Sequence, residues 1–296
     1  MNYMHSRMSY RVPCMLVCLL LLLAGCDNAE EAIDIPDDAF LNALLAEGVD
    51  TNGDGYISPS EAEAVTTLNV SMDSTITDMS GLEAFVNLRI LNCSCNPITQ
   101  LDLSGNTELI VLRISYSAAE EWCTSKLQSL DVSGNVQLTH LDCPEVGLNN
   151  LDLSNNPELV YLNCRSNLLS FLDLSNNPAL ELLYCSENQL SSLNLSNAPL
   201  LEELHIDGNL FSSIDLSGNK ALDSLHCRNN QLTTLDVSGN PALSYLACNG
   251  NLLTELDLSQ NSALRNLFCH RNQISTLDLS GNPALLSLYC NGNLLT

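Results

Sequence analysis

Leu159-Val160-Tyr161-Leu162-Asn163-Cys164-Arg165-Ser166-Asn167-Leu168-Leu169-Ser170-Phe171-Leu172-Asp173-Leu174-Ser175-Asn176-Asn177-Pro178-Ala179 is one unit of a pattern that returns every 21 residues from about Leu88 to Thr296. Leu162 and Cys164 alternate as a short strand with one buried face must. Leu169, Leu172 and Leu174 return inward through a second extended stretch, so two extended segments are expected per coil, on opposite sides. Asn167 and the pair Asn177-Pro178 mark the turns, where an asparagine amide can satisfy backbone groups of the loop. So short a unit cannot bury its apolar face alone, and about ten copies are expected to stack into a solenoid.

The period and the frame Leu-x-x-Leu-x-Cys-x-x-Asn-x-Leu-x-x-Leu-Asp-Leu resemble the leucine-rich-repeat family, and within it the bacterial class called IRREKO. The resemblance covers Leu82 to Thr296. It implies an α/β solenoid, mainly β, wound as a right-handed superhelix, and it is specific for fold rather than function. Some units depart from the frame. Val146 replaces a turn asparagine, Ile206 a cysteine and Asn194 an aspartate, and about eight extra residues around Tyr116 to Lys126, including Trp122, are expected to bulge outward.

A formal charge of -25 argues against nucleic acid or anionic lipid surfaces as partners. Thirteen cysteines would suggest a disulfide scaffold, but Cys93, Cys143, Cys164, Cys185, Cys227, Cys248, Cys269 and Cys290 fall once per coil. They are read as small buried hydrophobes rather than a thiol or metal array. Cys95 and Cys123 stand off this ladder and are candidates for a disulfide.

Arg7 and Arg11 precede an apolar run from Val12 to Ala24 that suits a signal peptide and is short for a membrane span. Leu23-Ala24-Gly25-Cys26 resembles a bacterial lipobox, which implies cleavage and lipidation at Cys26, with an ordinary secretory signal or an uncleaved anchor as alternatives. The acidic residues behind Cys26 resemble export signals of Bacteroidetes surface lipoproteins, some of them internalin-like. The expected address is the outer membrane, at the cell surface or on the periplasmic side, with the N-terminal lipid as the sole membrane contact. Residues 1–25 are read as the signal, 26–36 as a tether, 37–70 as a helical cap and 71–296 as the repeat domain.

Within the cap, Asp50-Thr51-Asn52-Gly53-Asp54-Gly55-Tyr56-Ile57-Ser58-Pro59-Ser60-Glu61 matches the EF-hand loop, between two helical patterns. Asp50, Asn52 and Asp54 would offer side-chain oxygens, Tyr56 its carbonyl, Ser58 a hydroxyl or a held water, and Glu61 a bidentate carboxylate. Ca2+ is the expected cofactor, in a structural role; an ion-free turn is the alternative. Phe40, Leu41, Leu44 and Leu45 would then cover the apolar end of the first coil.

Two columns face outward. Asp102, Asp131, Asp152, Asp173, Asp215, Asp236, Asp257 and Asp278 follow the second stretch and are expected to bond nearby hydroxyls and amides, with weak cation binding as the alternative. On the strand side the column Asn163, Tyr184, His205, His226, Ala247, Phe268, Tyr289 lies beside Tyr161 and Tyr245. Arg89, Arg113, Arg165, Arg228, Arg265 and Arg271 lie on or near this face. In a chain with 5% aromatic residues, that grouping points to a protein- or glycan-binding surface built from Tyr161, Arg165, Tyr184, His205, His226, Arg228, Tyr245, Phe268, Arg271 and Tyr289. Strand propensity alone is the competing explanation. His205 and His226 sit one coil apart, with no third metal ligand evident. No nucleophile elbow or separate acid pair is present, so an enzyme is not expected. A spacer without a discrete ligand is the alternative function. The chain stops halfway through a unit, so a further segment or another chain is expected to cover that end.

Overall fold

The computed structural model describes residues 31–71, 75–115, 127 and 129–296. From Ala32 onward the chain forms one compact unit. Two helices come first, α1 (Asp38–Ala46) and α2 (Pro59–Ala64). Eleven three-residue strands follow: β1 (Thr67–Asn69), β2 (Ile90–Asn92), β3 (Val111–Arg113), β4 (His140–Asp142), β5 (Tyr161–Asn163), β6 (Leu182–Tyr184), β7 (Glu203–His205), β8 (Ser224–His226), β9 (Tyr245–Ala247), β10 (Asn266–Phe268) and β11 (Ser287–Tyr289). They form a single parallel sheet in sequence order, with the middle leucines in register from Leu68 to Leu288. No helix among the described residues is long and apolar enough to cross a membrane.

The unit's inward residues lie where its spacing puts them. Leu159, Leu162, Cys164 and Leu169 are wholly buried, and Leu172 and Leu174 nearly so. One apolar core runs the length of the unit and includes Phe40, Ala43 and Leu44 of α1. The two extended segments expected per coil differ in pairing. Only the first extended stretch pairs as a strand among the described residues. The Leu-Asp-Leu stretch spends an amide locally instead, because each aspartate accepts the backbone N–H of the serine two residues on, as Asp173 does from Ser175 at 2.9 Å.

Two asparagine ladders hold the turns. In the first, Asn188 Oδ1 accepts from Leu169 N at 3.0 Å, while its Nδ2 reaches Cys164 O, Cys185 O and Ser186 O at 3.0, 3.1 and 3.2 Å. The residue before each such asparagine takes the left-handed conformation, with φ 55° at Ser166 and Glu187, 63° at Gly208 and 54° at Arg271. Glu145, before Val146, takes the same conformation at φ 62°, so the bend is a property of the stacked turn rather than of the asparagine alone. In the second ladder Asn177 Nδ2 bonds Leu153 O and Asn156 O at 3.1 and 2.9 Å, but its buried Oδ1 accepts nothing. Ala198 occupies this second position in one coil without breaking the stack.

The N-terminal boundaries also change. The stretch read as a tether is packed from Ile33 on: Ile33 N donates to Ile57 O at 2.8 Å, and Ile33 and Ile35 pack against the core. The sheet begins inside the 37–70 segment read as the cap, because β1 leaves α2 and pairs directly with β2. Asp37 ties the two parts together. One oxygen caps α1 through Ala39 N and Phe40 N, and the other accepts from Thr77 N, Thr77 Oγ1 and Asp78 N at 2.8, 2.8 and 3.0 Å. Partial burial acts upward on its pKa, but these donors prevail and hold it down at about 2.

The two ladders differ in what they satisfy, and substitution separates them. Asn188→Ala strips a partner from a buried amide and is expected to cost about 2 to 3 kcal/mol, against about 1 kcal/mol for Asn177→Ala, which also removes an unpaired oxygen. Urea denaturation of both variants checks this; equal losses would contradict it.

Candidate functional site

Side chains alternate along a strand, so the first and third residues of each face one side of the sheet while the middle leucine is buried. Parallel pairing in register stacks these positions into two columns. One runs His140, Tyr161, Leu182, Glu203, Ser224, Tyr245, and the other Asp142, Asn163, Tyr184, His205, His226, Ala247, Phe268, Tyr289.

The rings of the two columns join into one unbroken row. Centroid separations are 5.8 Å for His140–Tyr161, 5.5 Å for Tyr161–Tyr184, 4.7 Å for Tyr184–His205 and 3.8 Å for His205–His226. They continue at 4.6 Å for His226–Tyr245, 5.4 Å for Tyr245–Phe268 and 4.9 Å for Phe268–Tyr289. The row changes column three times. It crosses from Tyr161 to Tyr184, and then into and out of Tyr245, where Ala247 occupies the neighbouring position with a small, wholly buried side chain. Apart from the closer His205–His226 stack, these distances suit offset and tilted aromatic pairs.

Seven of the sequence-selected face residues therefore come together, and His140 extends the row by one strand. Arg228 joins them by donating from Nη2 to the Tyr245 hydroxyl at 2.9 Å, 4.0 Å from Asp207. Arg165 and Arg271 instead lie in the turn after the buried cysteine, exposed, and no ring contact links them to the row. Burial raises the Tyr161 and Tyr184 hydroxyls, and Glu203 adds to the effect on Tyr184, which donates to Glu203 Oε2 at 2.9 Å. Burial, then the neighbouring His205 and Arg228, brings His226 down to about 4, so its ring is neutral at physiological pH.

A third metal-type ligand was missed beside the histidines. Glu203, His205 and His226 are the one set of three His, Cys or carboxylate residues, among those described, whose ligand atoms lie within 4.8 Å of one another. The signal was present in sequence, since Glu203 is two residues before His205 and must share its face.

The other columns serve structure. All eight ladder cysteines are free thiols; burial pushes Cys93 and Cys164 up to about 12, which keeps them protonated. Cys95 is disulfide-bonded, to a partner that lies outside the described residues, as do Cys123, the insertion and Cys26. A groove follows Asp236, Asp257 and Asp278. Each of these carboxylates already accepts a serine amide at 2.9 Å, and bonds to that serine hold its pKa down.

The Asp50–Glu61 loop joins α1 to α2. Asp50 accepts from Gly53 N and Gly55 N, Asn52 from Asp54 N, and Asp54 from Tyr56 N, at 2.6 to 2.9 Å. Glu61 is buried and clamps both ends of the loop. Its Oε1 accepts from Thr51 N and Oγ1 and from Asn52 N, and its Oε2 from Ser58 N and Oγ, the reciprocal cap of α2. The Ser58 amide chiefly holds the Glu61 pKa at about 2, so the carboxylate is charged. The donor set is all oxygen, which fits a hard cation.

No protein-family model matches the chain, and no curated protein matches it in sequence. Solved structures do. The functional domain of InlJ from Listeria monocytogenes, which includes a cysteine ladder, superposes with TM-score 0.71 at 34% identity over 88% of this chain. The chain spans 62% of that domain's length. An internalin, InlF, of the same organism gives TM-score 0.67 at 21% identity, covering 91% of this chain and 86% of its own. A leucine-rich-repeat protein of Leptospira interrogans gives 0.62 at 19%, covering 79% and 68%. The chain thus shares the leucine-rich-repeat solenoid fold of these internalin-type structures.

Proposed function

We propose that this scaffold binds a protein or glycan ligand through its strand face while a lipid on Cys26 anchors it outside the cytoplasm. The unbroken ring row from His140 to Tyr289 carries the binding reading. Aromatic side chains concentrate interface energy, and a long, partly exposed stack offers apolar faces beside polar edges. Strand propensity would favour aromatic residues in strands, but it gives no reason for the row to change columns and stay continuous. The comparison structures support a scaffold of this shape and leave the ligand to be identified.

The combined variant Tyr184→Ala, Phe268→Ala and Tyr289→Ala tests the face. Wild type and variant are compared on glycan arrays and in crosslinking capture of proteins, with circular dichroism to verify folding. A ligand held by the wild type and lost by the folded variant is expected; a ligand held equally by both overturns the site.

For the anchor, metabolic labelling with palmitate is expected to mark the wild-type chain and not Cys26→Ser. Equal labelling would remove Cys26 from the reading.

Calcium is proposed for the Asp50–Glu61 loop, with Asp50, Asn52, Asp54, Tyr56, Ser58 and Glu61 as its ligands. The ion would supply charge compensation for a loop crowded with carboxylates and would fix α1 against α2. An affinity on the order of 0.1 to 1 mM, usual for extracellular modules, predicts a gain of about 1.4 to 2.7 kcal/mol at 10 mM Ca2+. Differential scanning calorimetry of wild type and Asp54→Ala/Glu61→Ala should show that gain only in the wild type. A response retained in the double variant would move the site to the aspartate column.

A further inference from the structure

Glu203 and His205 leave β7 on the same side, and His226 stands beside His205 on β8. His205 Nε2 lies 2.6 Å from Glu203 Oε1, and the two imidazole rings are 3.8 Å apart. The carboxylate is held from behind, because Tyr184 donates to Glu203 Oε2 at 2.9 Å and leaves Oε1 turned toward the histidine. Such an outer partner orients a ligand and tunes its basicity. The nearby cation, Arg228, is directed to the Tyr245 hydroxyl and toward Asp207. The side chains of His205 and Glu203 are 23% and 31% exposed, so the cluster is open to solvent from the strand side.

We propose that Glu203, His205 and His226 form a binding site for a divalent transition ion of the zinc class, at the middle of the ring row. Two imidazole nitrogens and one carboxylate oxygen are the ligand types such an ion takes at about 2.0 to 2.2 Å, leaving a fourth position free. Tetrahedral bonds of that length bring ligand atoms to about 3.3 Å from one another, whereas they now lie within 4.8 Å. The difference is closed by side-chain rotation, which partial exposure permits. The rings now stack 18° from parallel, and they must splay for both lone pairs to meet one ion. The ion takes the place of the proton shared by His205 Nε2 and Glu203 Oε1, and His205 binds as the tautomer protonated at Nδ1. Imidazole favours zinc over calcium and magnesium, which take oxygen, so this site and the Asp50–Glu61 loop select different ions. The formal charge of -25 raises the local concentration of any cation. The free position faces the strand side, where a carboxylate or imidazole of a docking molecule can complete the shell. The ion site itself does not depend on the strand face binding a macromolecule.

The test uses the full chain, titrated with ZnCl2 by calorimetry and with CoCl2 by visible absorption. Glu203→Gln, His205→Gln and His226→Gln are each expected to lose one equivalent of Zn2+ and the cobalt band, while Asp54→Ala/Glu61→Ala keeps both. Zinc is also expected to shift the imidazole resonances of His205 and His226 in the unsubstituted chain, a readout independent of variant folding. Unchanged stoichiometry and affinity in His226→Gln or Glu203→Gln would overturn the site. So would the absence of any imidazole shift at 100 μM Zn2+, a test level on the order of a weak micromolar affinity.

Discussion

The stack depends on the buried asparagine that closes most of its strand turns, with Val146 standing in one of them. A coil of this length must reverse direction inside its own core, where an unpaired amide or carbonyl costs as much as a lost hydrogen bond. Asn188 meets four such groups at once, drawn from its own coil and the one before it. The bonds therefore close a turn and fix the spacing of two coils together. A left-handed residue precedes each of these asparagines, and one also precedes Val146 at Glu145, so that bend belongs to the turn itself. The second ladder is weaker by the same reasoning, because most of its Oδ1 atoms are buried without a donor.

Strict spacing turns a linear sequence into columns, and departures within the columns make a local surface. Where successive strands carry rings in the same column, the row runs straight; where that column holds no ring, as at Ala247, a ring from the other column takes its place. Ala247 is wholly buried for this reason, with Tyr245 continuing the row between His226 and Phe268. The middle of the row differs chemically from its ends. Two histidines and a glutamate meet there, with a tyrosine hydroxyl behind the carboxylate.

The N-terminal region follows different rules but serves the same core. The helices cover the first coil with Phe40 and Leu44, and β1 extends the sheet so that β2 has a partner on its outer side. Asp37 and Glu61 are both carboxylates held by several amides, the former joining α1 to the chain near Thr77 and the latter closing the oxygen-rich loop. Their charges are stabilised by hydrogen bonds, as the few cations of this acidic chain are elsewhere.

Much was legible before any coordinates. Period alone assigned Leu162, Cys164, Leu169, Leu172 and Leu174 to the core, the cysteines to a thiol ladder, and Asn167 to a turn, because a one-sided strand and a closed coil leave those residues no other place. The aspartates bonding serine amides followed from the same alternation. Tertiary structure alone decided that the Leu-Asp-Leu stretch forms no second strand, that Ile33 packs against the core, and that Arg165 and Arg271 stand apart from the rings. It also decided that the ring row crosses columns and that Glu203 reaches His205. The physical reason is the same in each case. Sequence period tells which side of a strand a residue faces, while the direction its side chain takes depends on the size and polarity of neighbours one strand away, residues that adjoin it only after the coils have stacked.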